Sequence, residues 1–110
     1  MVNFTMRSKN LIVTVTGDID QHNAGHIREQ IDLRISHENV KRLILDFSGL
    51  DFMDSSGIGI IIGRYKLMCA LNGSVSIIAT KPTLCKLMEL AGIGRIIPIC
   101  DSLSDALKSA

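Results

Sequence analysis

Met53-Asp54-Ser55-Ser56-Gly57-Ile58-Gly59 is the stretch on which the reading of this chain turns. An apolar strand-like segment precedes it, and a strongly amphipathic helix-like segment follows. Two serine hydroxyls, flanked by an aspartate and two glycines, therefore fall at a predicted helix N-terminus. Such an end presents free backbone N–H groups and the positive pole of the helix dipole, so it accommodates a phosphate. A serine placed there is a catalyst, a ligand contact or a group that is itself modified.

Working outward, strand and helix patterns alternate. Val2 to Met6 and Leu11 to Thr16 read as strands joined by the polar turn Arg7-Ser8-Lys9-Asn10, which predicts a hairpin. Gly17 breaks the second strand. Asn23 is the expected N-cap of a helix reaching about Ser36, with Ala24, Ile27, Ile31 and Ile35 on one face. Leu43 to Phe47 is apolar throughout, as in a strand buried on both faces.

The next helix is expected from near Ser56 to about Leu71. Its stripe is Ile58, Ile61, Ile62, Tyr65, Met68 and Cys69, with Asn72-Gly73 as its stop. Gly59 and Gly63 are expected to let this helix pack closely on the sheet. Val75 to Ala79 reads as a strand. A helix follows from Thr80 or Lys81, with Pro82 in its first turn, the stripe Leu84, Leu87, Met88 and Ala91, and Gly92 just past its end. Ile96-Ile97 reads as a short edge strand before Pro98. A last helix starts near Ser102, with Leu103 and Leu107 facing inward.

This order predicts one α/β domain over residues 1–110. Its sheet is mixed, mostly parallel, of four to five strands, with an N-terminal β-hairpin and about four helices. Composition agrees. The chain has 110 residues, 46% apolar, enough for a core without disulfides or metal. Aromatic content is 4% with no Trp, and the net charge is +1. Neither a base-stacking nucleic-acid surface nor a polybasic membrane anchor is indicated. No apolar run approaches a membrane span. Cys69, Cys85 and Cys100 are odd in number and widely spaced, as expected of buried free thiols in a cytoplasmic protein.

The catalytic patterns fail one by one. A nucleophile elbow needs a glycine two residues before its serine, and neither Ser55 nor Ser56 has one. Gly57, Gly59 and Gly63 are spaced one residue too long for a dinucleotide fingerprint, and Ile77 stands where the ribose-binding acid belongs. His22 and His26 could share a helix face but lack a third metal ligand. Asp51 and Asp54 are expected to shape loops or cap helices. No metal, cofactor or enzymatic activity is expected. A serine presented as a substrate remains, with Gly57 and Gly59 keeping the surrounding surface low so that a kinase can approach.

The run Asp54-Ser55-Ser56-Gly57-Ile58-Gly59, after Leu43-Ile44-Leu45-Asp46-Phe47 and Met53, resembles the signature loop of the STAS domain family, the anti-sigma factor antagonists. Gly17-Asp18-Ile19-Asp20 resembles that family's G-E-L-D turn, and Ala91-Gly92-Ile93 its helix-ending motif. Gly63-Arg64-Tyr65-Lys66 is similar to the continuation in the family's sporulation antagonists of the forespore sigma factor. The likeness spans essentially the whole chain. Gln21-His22-Asn23-Ala24-Gly25 departs from it, because the sporulation proteins carry paired histidines and a threonine there.

The resemblance implies a partner-switching protein, monomeric when free. Its unphosphorylated form would bind an ATP- or ADP-bound anti-sigma factor that is also a serine kinase, and so release a sigma factor. Phosphorylation on Ser56 would end that binding, and a serine phosphatase would restore it. Asp20, Met53, Asp54, Ser55, Ser56, Gly57, Ile58 and Gly59 are the implied partner contacts, with Met53 the better candidate for partial exposure. The alternative is a STAS module of a general stress-response complex, or one that senses a small ligand or nucleotide.

Overall fold

The computed structural model describes residues 1–108. Strands β1 (Val2–Arg7) and β2 (Asn10–Val15) form the expected antiparallel hairpin. Its turn is shorter than the sequence indicated, because Ser8 adopts φ 58° and reverses the chain within two residues. Strand β3 (Gly17–Ile19) and helix α1 (Ala24–His37) follow. Next come β4 (Arg42–Asp46), β5 (Leu50–Met53), α2 (Ser55–Ala70), β6 (Ser74–Ile78), α3 (Pro82–Leu90), a 3-10 turn (Ile93–Arg95), β7 (Ile99–Cys100) and α4 (Leu103–Lys108).

The main sheet has five strands in the order β1-β2-β4-β6-β7, parallel except for the β1–β2 pair. Side-chain alternation sends the two faces of each strand into different cores. Leu11, Val13, Leu43, Leu45, Val75 and Ile77 join the main core with residues of α1, α2 and α3. Ile12, Ile44 and Ile78 point the other way, where Ala106 of α4 covers them. Arg42 fastens α4 by donating to the carbonyls of Ala106 and Leu107.

Several expectations are corrected. The last strand is Ile99–Cys100. Ile97 is instead buried below the 3-10 turn, its N–H bonded to the Ile93 carbonyl. Cys69 is exposed, and Cys85 and Cys100 are partly so. The buried line of α2 is Gly57, Ile60, Ile61, Arg64 and Met68, a rotation away from the predicted stripe. A Cβ at Gly59 or Gly63 would meet open space, so neither is needed for close packing. One close approach is at Gly73, where a Cβ would lie 2.8 Å from the Lys41 carbonyl oxygen.

The buried line of α2 includes a cation. Arg64 is 8% exposed, and its Nε lies 2.8 Å from Asp32 Oδ1 of α1. That contact has ion-pair distance without hydrogen-bond alignment. Burial lowers the Arg64 pKa from its ordinary value, Asp32 pulls it back up, and Arg28 lowers it further. A guanidinium in such a place is kept by its carboxylate, and removing that partner is costlier than removing both. Asp32→Ala is expected to lower stability by about 1–2 kcal/mol in urea unfolding, less than for a fully buried pair because the carboxylate is partly open to water, and Asp32→Ala/Arg64→Met to recover most of it. Additive losses in the double variant would show that the pair is not coupled.

Beside the main sheet lies a second, two-stranded parallel ladder of β3 and β5. Gly17, at φ 85°, lets the chain leave β2 and start this ladder at once. Gly17 pairs with Leu50, Asp18 with Phe52 and Ile19 with Met53, so Asp51 is an extra residue on β5. The ladder ends at two aspartates, Asp20 and Asp54.

Candidate functional site

Helix α2 starts where it does because Asp54 caps it. Asp54 has extended backbone (φ −99°, ψ −167°), and its Oδ1 accepts the Ser56 N–H at 2.8 Å, the arrangement of an N-cap carboxylate. The structure puts Ser55 in the first helical position. Ser55 is exposed and Ser56 half-buried. With the cap supplied by Asp54, the Ser56 hydroxyl is not consumed in holding the helix end.

The two aspartates meet through the ladder. The Asp54 N–H donates to the Ile19 carbonyl at 3.1 Å, extending the β3–β5 pairing by one bond. Asp20 Oδ1 accepts the N–H groups of His22 at 2.8 Å and Asn23 at 3.2 Å. Asn23 Oδ1 accepts the Asp20 N–H at 2.9 Å, and Asn23 Nδ2 donates to the Asp18 carbonyl at 2.8 Å. Asn23 therefore occupies the N-cap position of α1 while its side chain braces β3. His22 falls in this turn, so it does not share a helix face with His26.

The predicted contact residues separate into two groups. Asp20, Asp54, Ser55, Ser56, Ile58 and Gly59 reach the surface to differing degrees. Met53 does not: it is 3% exposed, which corrects the expectation of partial exposure. Gly57 is buried too, and its role is different from the clearance first inferred. A Cβ at Gly57 would lie 2.1 Å from Met53 Cγ and 2.3 Å from its sulfur. Gly57 thus lets the helix settle onto the Met53 side chain. Gly59 has open space around its Cα and alone fits the idea of low surface. Ile58 is half-buried rather than part of a fully buried stripe.

Two residues that sequence reasoning passed over belong to the site. Phe52 is 54% exposed, beside the buried Met53. Lys81, just before α3, donates its Nζ to the Leu50 carbonyl at 3.0 Å and to Asp51 Oδ1 at 2.8 Å. The signal for Phe52 was present: Leu50 and Met53 are three residues apart, so a regular strand cannot bury both. The Lys81 contact spans 30 residues and leaves no local mark.

With this geometry in place, the class is clear. The sequence model of the STAS domain matches residues 2–106, and the chain belongs to that family. It is 36% identical over 97 residues to the anti-sigma F factor antagonist of Paenibacillus polymyxa, covering 88% of this chain and 83% of that protein. The fold matches the anti-sigma factor antagonist SpoIIAA in its unphosphorylated form, with a TM-score of 0.85, 27% identity and coverage of 97% and 93% of the two chains. It also matches the Bacillus cell fate determinant SpoIIAA in the phosphorylated form, with a TM-score of 0.76, 27% identity and coverage of 97% and 96%.

The cap and the glycine contact give separable effects. Asp54→Ala should cost about 1 kcal/mol of stability, the usual loss of a capping carboxylate. Gly57→Ala should cost about 1–3 kcal/mol by overpacking against Met53, and Gly57→Ala/Met53→Ala should cost less than the two single losses summed. Chemical denaturation of the parent, the three single variants and the double variant measures these effects. Equal unfolding midpoints for Gly57→Ala and the parent would remove the packing role.

Proposed function

We propose that this protein is an anti-sigma factor antagonist whose binding is controlled by phosphorylation of Ser56. The observation that carries the reading is the placement of Ser56. Its hydroxyl stands in the first turn of a helix that Asp54 already caps, at the end of the ladder where Asp20 and Asp54 meet. Membership of the STAS family and the names of its relatives support the same reading.

The unphosphorylated form binds an anti-sigma factor that is also a serine kinase, and so frees a sporulation sigma factor. The partner supplies the catalytic base, the metal and the nucleotide, so this chain is substrate and regulator, not catalyst. It acts in the cytoplasm as a free monomer between encounters, and a serine phosphatase resets it. No helix among the described residues is long and apolar enough to cross a membrane.

The electrostatics explain how one phosphoryl group suffices. It adds about −1.5 to −2 charges. The nearest helix N–H, that of Ser56, is already committed to the Asp54 carboxylate. The new charge therefore arrives beside an existing negative one, with the Asp20 carboxylate across the ladder end. A partner surface fitted to a neutral hydroxyl meets bulk and repulsion together, and no refolding is required. SpoIIAA is described in both unphosphorylated and phosphorylated forms, and both share this fold.

The test uses the anti-sigma F factor of Paenibacillus polymyxa with ATP. Mass spectrometry is expected to find one phosphate, on Ser56. Ser56→Ala should bind without being modified, and Ser56→Asp should bind at least about tenfold more weakly, a difference of about 1.4 kcal/mol. Modification at Ser55 instead, or equal binding by both variants, would overturn the assignment.

A further inference from the structure

Folding leaves the Phe52 ring in water, four residues before Ser56 in the chain, and it does so by a specific device. In a regular strand, Phe52 would share a face with Leu50, which is fully buried. The extra residue Asp51 breaks that period: Leu50 pairs with Gly17, but Phe52 pairs with the very next residue, Asp18. The bulge turns Met53 inward and Phe52 outward. Bulges commonly re-aim a side chain in this way beside functional sites.

The bulge is held in place. Lys81 binds the Asp51 carboxylate and the Leu50 carbonyl together, so the extra residue is clamped from the α3 side. Phe52 belongs to neither apolar cluster of the core. Its ladder neighbour Asp18 is also exposed, and among the described residues no cation forms a salt bridge to it. An outward phenyl ring therefore sits in register with a carboxylate that no described cation pairs, two residues before Asp54.

We propose that Phe52 is the apolar anchor by which the anti-sigma partner grips this end of the molecule, and that the partner's matching surface is an apolar pocket with a cationic rim that faces Asp18. This deepens the functional reading above and rests on it. Aromatic side chains that enter a desolvated pocket dominate many interfaces, while charges at the rim set association rate and orientation. The anchor and the switch then have different tasks. Phe52 supplies affinity that phosphorylation does not touch, and Ser56 supplies the sign.

The experiment compares parent, Phe52→Ala, Phe52→Leu, Asp18→Asn and Ser56→Asp in binding and kinase assays with the anti-sigma F factor of Paenibacillus polymyxa. Phe52→Ala should weaken binding at least about tenfold through faster dissociation. It should also raise KM for phosphorylation, with kcat little changed, while its urea midpoint stays that of the parent. Phe52→Leu should recover much of the affinity, and Asp18→Asn should slow association and flatten its salt dependence. Parent-like binding by Phe52→Ala, alongside loss in Ser56→Asp, would overturn the anchor and leave the switch standing. A fall in the urea midpoint that accounts for the lost binding would make Phe52 structural and overturn the anchor too. A parent protein neither bound nor phosphorylated would overturn the functional reading and the anchor with it.

Discussion

The contact between Met53 and the bare Cα of Gly57 is the constraint on which the functional end depends. A Cβ at Gly57 would fall 2.1 Å from Met53 Cγ, so only glycine lets the last residue of β5 lie under the first turn of α2. That approach fixes the angle at which the helix leaves the strand. Asp54 lies between them, and its carboxylate caps the Ser56 N–H. The exposure of Ser55 and Ser56 follows from the same geometry.

The β3–β5 ladder transmits that constraint sideways. Ile19 and Met53 pair, and Asp54 bonds back to the Ile19 carbonyl. Asp20 is thereby brought beside Asp54, although 34 positions separate them in the numbering. The Asp20–Asn23 hydrogen bonds stiffen the connection into α1. Further down, Arg64 and Asp32 tie α2 to α1, so the helix that carries the serine is fixed at its start and along its side. A partner meets a preformed surface and need not pay to order it.

Much of this was legible in the sequence, and the failures share a cause. The alternation of apolar strands and helices located the hairpin, the strands β4 and β6 and all four helices, because each rests on local periodicity, whereas the two-residue edge strand Ile99–Cys100 is too short to show one. The ladder of β3 and β5 was missed because its strands are three and four residues long and pair with a bulge, which erases the period-two signal. Met53 is buried and Phe52 exposed for that reason: one inserted residue, Asp51, inverts which of two neighbours faces inward. Arg64 was read past because a cation on a helix defaults to the solvent face, and only Asp32 of another helix makes its burial tolerable. The capping role of Asp54, by contrast, was readable, since capping chemistry is local.

The burial of Met53 also sorts the sulfur atoms of this chain by their vulnerability to oxidants. A sulfoxide oxygen on Met53 would need room where the α2 backbone already presses against the thioether, and peroxide has little access to a side chain so enclosed. Cys69, toward the far end of the same helix, is exposed and is the thiol that reagents meet first. The enclosed thioether under the serine turn is thus shielded in a way that the exposed Cys69 and Met1 are not.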